Sequence, residues 1–144
     1  MTVAYLDSNV VLALRDASPL AKEGLVERLA GRAGWDAIHV ISDLVRMECT
    51  IRPLRLSDPQ LVREVQQFLS SARFVCVGLP PPVFDRAAEI RARYGFRTPD
   101  ALHLAAALEA GCDVFVTADR RLAAFAEIPA ALLETDLLGT TPDL

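Results

Sequence analysis

At 144 residues, with 52% hydrophobic residues and a mean hydropathy of +0.28, the chain is too apolar for a disordered segment and fits one domain, 1–144. A chain of this size buries roughly 68–70% of its unfolded surface, so a core can form without disulfide or metal staples. The net charge of −4 and pI near 5.1 count against a protein that grips nucleic acid by bulk positive charge, and no apolar run approaches the roughly 20 residues of a membrane span.

Short apolar runs alternate with amphipathic stretches from end to end. Val3–Leu6 predicts a buried strand, and Asp7-Ser8-Asn9 leads from it into a helix. Ser18–Arg32 has helical spacing, with Leu20, Leu25, Val26 and Leu29 on its inner face. Ile38–Ile41 is the second strand. Ser42 then stands as N-cap of a helix that turns Leu44, Val45 and Ile51 inward until Pro53 ends or bends it. Asp58-Pro59 opens a helix carrying Leu61, Val65, Phe68 and Leu69 at the 3.6 period. After a third strand, Phe74–Val77, Pro80-Pro81-Pro82 turns into a helix that runs to about Tyr94 and stops at Gly95. Thr98-Pro99 begins the next helix and Gly111 ends it. Val114–Thr117 is the fourth strand, Asp119–Phe125 a short helix and Ala131–Leu133 a fifth strand. This βα alternation, with two helices in several crossovers, predicts an α/β fold: a three-layer α/β/α sandwich around a mainly parallel sheet of about five strands.

Cys49, Cys76 and Cys112 lie far apart among apolar residues and form no C-x-x-C or Cys/His pattern, which reads as buried thiols in a reducing cytosol. The start, MTVAYLDSNVV, lacks a basic n-region and Asp7 interrupts its apolar run, so a cytoplasmic chain without a secretory leader is expected. Lys22 is the sole lysine. Dehalogenase-type phosphatases and phospho-accepting receiver domains both need an assisting lysine, and the former also needs a second aspartate where Asn9 stands.

In a parallel sheet the working site lies outside the carboxyl ends of the strands. Asp7 follows the first strand and Asp119 the fourth, so both point to that edge; Asp100 opens a helix whose N-terminus lies toward it. Each aspartate taken alone is either a helix cap, stabilised by about 0.3–1 kcal/mol, or part of a shared site. Asp100 weakens the cap reading, because Thr98 can already serve as N-cap with Pro99 at N1. Glu48 sits on the apolar stripe of its helix, four residues after Leu44 and three before Ile51, and points inward. Either Arg52 pairs with it or it looks across the cleft toward the aspartates. A set of carboxylates without His or Cys thiolate suits one or two Mg²⁺ or Mn²⁺ ions, and such ions activate water against phosphodiesters.

The segments YLDSNVVL, DLVRMECT and TPDALHLAAALEAGCDVFVTADRRL, in this order, resemble the PIN-domain ribonucleases, closely those of the VapC toxin type. The resemblance spans nearly the whole chain and implies a PIN-like fold with Asp7, Glu48, Asp100 and Asp119 as metal-binding acids. It implies a Mg²⁺- or Mn²⁺-dependent endonuclease that cleaves RNA to 5′-phosphate and 3′-hydroxyl ends, forms a homodimer and is inhibited by a cognate VapB-type antitoxin. Asn9 resembles the family's polar residue that steadies the first aspartate, and Thr117 the one that orients water or metal near the last. Ala118 departs from the family's frequent asparagine in its T-N-D stretch.

Around these acids, Arg97, Arg120 and Arg121 are candidate phosphate contacts or solvated surface arginines. Arg46 could act likewise or pair with an antitoxin. His103, one turn after Asp100, reads as a helix-packing histidine, because the chemistry needs no imidazole. Trp35 covers a helix end or anchors an interface, and Asp113, Asp136 and Asp143 read as surface or loop acids. Two other functions stay open: a catalytically weak binding or scaffold module on the same fold, and a housekeeping RNA-processing nuclease without an antitoxin.

Overall fold

The computed structural model describes residues 1–134; Asp136 and Asp143 lie outside the described residues. In chain order the elements are β1 (Val3–Leu6), α1 (Ser8–Asp16), α2 (Pro19–Ala33), β2 (Ile38–Ser42), α3 (Asp43–Arg55), α4 (Pro59–Leu69), β3 (Phe74–Val77), α5 (Pro81–Tyr94), α6 (Thr98–Glu109) and β4 (Val114–Thr117). A 3-10 turn (Arg120–Ala124) and β5 (Ala130–Leu132) follow. The five strands pair in parallel in the order β3-β2-β1-β4-β5. The chain winds outward from β1 to β3 and then returns across the sheet to β4. Under the right-handed crossover rule, that reversal puts the two sets of connecting helices on opposite faces.

The central strand explains why the sheet holds. Ala4, Tyr5 and Leu6 of β1 are each 0% exposed, as a strand covered on both faces requires. Tyr5 is in register with Phe115 of β4, and their rings stack at 5.3 Å. Helix α6 covers this face. Its run of Ala101, Ala105, Ala106 and Ala107 is fully buried, and such small side chains let a helix lie close to the strands. Asp113 fastens the start of β1 by accepting from the Val3 N–H at 2.8 Å. Among the described residues no helix is long and apolar enough to cross a membrane.

Several expectations need correction. Leu20 is 82% and Val26 37% exposed. The stripe of α2 that meets the core is Leu25, Leu29, Ala30 and Ala33; Val26 is turned about 100° from Leu25 and Leu20 about 140°, at 3.6 residues per turn. Ser42 occupies the cap position of α3 without a capping bond, because its hydroxyl is held by Tyr5 instead. Pro53 does not stop α3, which runs on to Arg55. The short helix after β4 is a 3-10 turn that starts one residue later than expected, and β5 begins one residue earlier. Of the cysteines only Cys49 is buried; Cys112 is half-buried and Cys76 exposed, since β3 is an edge strand of the sheet. Trp35 is 77% exposed beside an apolar pocket lined by Leu14, Leu29 and Phe74, rather than sealed over a helix end.

Helix α2 gives a direct check on this packing. Leu25→Ala is expected to cost about 2–5 kcal/mol through transfer and cavity terms, whereas Leu20→Ala should stay within about 0.5 kcal/mol. Urea denaturation of the two variants measures both.

Candidate active site

With all strands parallel, their carboxyl ends share one edge, and the strand order reverses between β1 and β4. This switch point is where α/β sheets form their crevices. Asp7 leaves β1 there, and its N–H donates to the Val116 carbonyl of β4 at 2.9 Å. Its side chain is 6% exposed. Oδ1 accepts from the Ser8 N–H at 2.8 Å, so Asp7 caps α1, and Oδ2 accepts from the Thr117 hydroxyl at 2.7 Å. The cap and the site are therefore the same residue. Thr117 Oγ1 in turn accepts from the Asp119 N–H at 3.0 Å, joining the first and last aspartates through one hydroxyl. Asn9 does not touch Asp7 directly among the hydrogen bonds formed; its Oδ1 accepts from the Ala118 N–H at 3.2 Å and so holds the backbone between Thr117 and Asp119.

Glu48 turns inward as its place on the helical stripe predicts, but its partner is not Arg52. Its Oε1 accepts from the Ser8 hydroxyl at 2.8 Å and from His103 Nε2 at 2.5 Å. His103 is 2% exposed. It also lies 3.6 Å from Asp7 Oδ1, and its Nδ1 meets the Tyr5 hydroxyl at 2.7 Å, which contacts the Ser42 hydroxyl at 2.8 Å. His103 is thus more than a packing residue: it stands between two carboxylates. Its i+3 spacing from Asp100 was the available signal, placing both on one side of α6. The partner across the sheet edge was not readable from that spacing.

Asp100, 8% exposed, accepts from Arg97 Nε at 3.2 Å and lies 3.6 Å from Arg121 Nη2. Asp119 is gripped by a guanidinium fork: Arg121 Nε to Oδ1 at 3.1 Å and Nη2 to Oδ2 at 2.5 Å, with the Arg121 N–H on Oδ1 at 3.0 Å. Arg120 turns elsewhere, toward Glu134 at 3.9 Å, and Arg46 reaches Ser70 at 3.4 Å.

The four carboxylates thus form one connected network in two halves, Asp7 and Glu48 around His103, and Asp100 and Asp119 around Arg121. Burial pushes the Asp7 carboxyl up, against the opposing pull of His103, Thr117 and Ser8. Burial pushes Glu48 up too, but the hydrogen bond and charge of His103 and the Ser8 hydroxyl outweigh it and hold the carboxyl below its ordinary value. For His103 the reverse holds: burial lowers it, and the bond to Glu48 with the charges of Asp7 and Glu48 brings it out raised. The Arg121 fork, against a smaller opposing effect of burial, keeps Asp119 low. Among the described residues no three His, Cys, Asp or Glu side chains are arranged to hold a metal ion. The donor chemistry still fits a hard divalent cation, since all four acids offer oxygen, and the guanidinium of Arg121 already sits on two of them as a cation does.

The pattern of the PIN domain matches residues 4–128. The chain belongs to the PIN-domain family. Among the described residues, the five parallel strands and six helices are a PIN fold, and solved structures with the same fold bear this out. DNA-bound VapBC from Salmonella typhimurium superposes with a TM-score of 0.69 at 18% identity, covering 92% of this chain and 99% of that one. VapBC2 from Rickettsia felis, bound to a promoter DNA fragment, gives 0.67 at 15% identity over 91% and 98%. The sarcin–ricin loop cleaving toxin VapC20 of Mycobacterium tuberculosis gives 0.64 at 18% identity over 88% and 98%. No curated protein matches this PIN domain.

The buried pair makes the metal-free PIN domain sensitive to pH. Glu48, lowered from 4.5, adds stability that is complete above that value and lost as pH falls through the folded one. His103, raised from 6.5, adds stability that is complete below that value and lost as pH rises through the folded one. In chelator, the melting temperature is expected to fall as pH climbs above 6.5, and His103→Gln to flatten that dependence. Thermal scans from pH 6 to about 9 measure the slope, and an unaltered slope in the variant would show that the pair is not charged.

Proposed function

We propose that this PIN domain is a Mg²⁺- or Mn²⁺-dependent RNA endonuclease and the toxin of a toxin–antitoxin pair, working as a homodimer and inhibited by a VapB-type antitoxin. The observation that carries the reading is the convergence of Asp7, Glu48, Asp100 and Asp119 from separate elements on the switch-point edge. The similarity to VapBC complexes and to a toxin that cleaves the sarcin–ricin loop supports it. These four residues would hold one or two ions. Bound there, an ion supplies the positive charge that neutralises a phosphodiester and eases deprotonation of water.

The chain's own residues do the positioning. The Ser8 N–H and the Thr117 hydroxyl fix the two oxygens of Asp7, and the Ser8 hydroxyl and His103 fix Glu48. Asn9 pins the Ala118 backbone, so Asp119 starts from a defined point even though alanine replaces the frequent asparagine. With a net charge of −4, the protein has little unspecific hold on RNA, so binding and cleavage should both depend on the ion.

A catalytically weak binding module is the rival with an observation behind it, because guanidinium and imidazole groups already neutralise the acids. Cleavage of defined RNAs with Mn²⁺, Mg²⁺ or chelator separates the two. Asp7→Asn is expected to lower cleavage by about a hundredfold or more, since even groups that only support metal ligands contribute about 10–100-fold. The same variant should melt no lower than the parent in chelator, because it removes a carboxylate whose ionisation burial disfavours. An Asp7→Asn protein that cuts at the parental rate overturns the assignment. Mn²⁺ at about a hundred times its dissociation constant should add about 2.7 kcal/mol to stability, seen as a higher melting temperature.

A further inference from the structure

Arg121 is held in a way that differs from the rest of the site. The Asp7, Glu48 and His103 half is buried, with His103 and Glu48 side chains 3% and 11% exposed. Arg121 is 57% exposed, stands on the 3-10 turn only two residues after the acid it grips, and reaches 3.6 Å from Asp100 as well. Its fork takes up both oxygens of Asp119. A guanidinium bound to two carboxylates satisfies the same electrostatic demand as a divalent cation, and the two compete for the same oxygens. An exposed ion pair is also weak enough to open, worth a factor of only about 1.4 to 5 in most measured cases.

We infer that Arg121 is a resident countercation that closes the Asp100–Asp119 pair until a divalent ion replaces it, and that the freed guanidinium then binds a phosphate of the RNA. The inference rests on the proposed metal-dependent cleavage and extends it with an exchange of cations. Arg121 is suited to both states: its planar fork matches a carboxylate and a phosphate equally well. Arg97 donates to the same Asp100 oxygen at 3.2 Å, so a second guanidinium stands at the mouth of the site beside Arg121. The exchange turns one side chain from a competitor of the ion into a partner of the substrate, and removing it must move the two affinities in opposite directions.

Calorimetric titration of Mn²⁺ into RNA-free parent, Arg121→Ala and Arg86→Ala proteins tests the first half. Arg86, paired with Glu109 at 2.7 Å, provides the same change of net charge away from the acids. Arg121→Ala is expected to bind Mn²⁺ about two- to fivefold more tightly than the parent, on the scale of an exposed ion pair lost, while Arg86→Ala stays at the parental value. The second half is read from KM for a defined RNA in saturating Mn²⁺. There Arg121→Ala should raise KM and reduce the slope of log KM against log salt by about 0.7, the share of one phosphate on a single strand. Unchanged Mn²⁺ affinity in Arg121→Ala, an equal gain in Arg86→Ala, or an unchanged salt slope each overturns the exchange. If the parent binds Mn²⁺ and Asp7→Asn does not, such a result leaves the metal site standing and removes only the role of Arg121. If no variant binds Mn²⁺, both fall together.

Discussion

A carboxylate buried at the end of a central strand must be neutralised by its surroundings or it costs the fold several kcal/mol. Asp7 sets that requirement here. It leaves β1, where every residue from Ala4 to Leu6 is fully buried, and it cannot retreat into solvent without pulling the strand end apart. Its oxygens are therefore met by the first N–H of α1 and by the hydroxyl at the end of β4. His103 lies a little farther off at 3.6 Å. That imidazole needs acceptors of its own, and Glu48 and the Tyr5 hydroxyl satisfy it. The polar residues of this edge, Ser8, Ser42, Thr117 and Tyr5, are consequences of one buried acid and the chain of partners it recruits.

The topology makes such a chain possible. Strand order places β4 beside β1, so Thr117 arrives within hydrogen-bond distance of Asp7 without any side chain having to stretch. The segment from Thr98 to Asp119 then contributes Asp100 and His103 from α6 and Thr117 and Asp119 from β4 and its end. Its alanines let α6 lie low enough on the sheet for His103 to stand edge-on to the Tyr5 ring, 5.8 Å between centroids. A larger residue at Ala101 or Ala105, both 0% exposed, would lift the helix and break the bridge between imidazole and Glu48. The packing of the hydrophobic face and the geometry of the polar edge are thus one constraint.

This division accounts for what the sequence made legible. Strands such as Val3–Leu6 and Val114–Thr117 are continuous apolar runs closed by an acid or a hydroxyl, and the position of Asp7 and Asp119 at their ends was readable with them. Glu48 was readable as inward-facing because its helical stripe is otherwise apolar. Its partner was not: the sequence left Arg52 at i+4 or the aspartates across the cleft, and only the strand order, which brings α6 over β1, puts His103 within reach. Leu20 and Val26 misled for a related reason: a 3.6 period identifies a stripe, but neighbouring apolar residues widen it, and only docking decides which part is covered. Cys76 is exposed because β3 ends the sheet, and no local pattern in Phe74–Val77 marks an edge strand.

The charge balance adds the last step. The whole chain carries −4, yet Asp7, Glu48, Asp100 and Asp119 face Arg97, Arg121 and a histidine that its carboxylate neighbours favour in the charged form. Repulsion among four acids is what would otherwise keep such an edge from assembling in the absence of an ion. The countercharges let the fold form first, but they differ in permanence. The His103–Glu48 contact is enclosed by Tyr5, Ser8 and Ser42, so opening it would strand buried polar atoms at a cost of about 1–3 kcal/mol each. The Arg121–Asp119 contact faces water, where a released guanidinium loses little. One half of the edge is therefore scaffold and the other is open to exchange, and the boundary between them runs through the Thr117 hydroxyl that touches both Asp7 and Asp119.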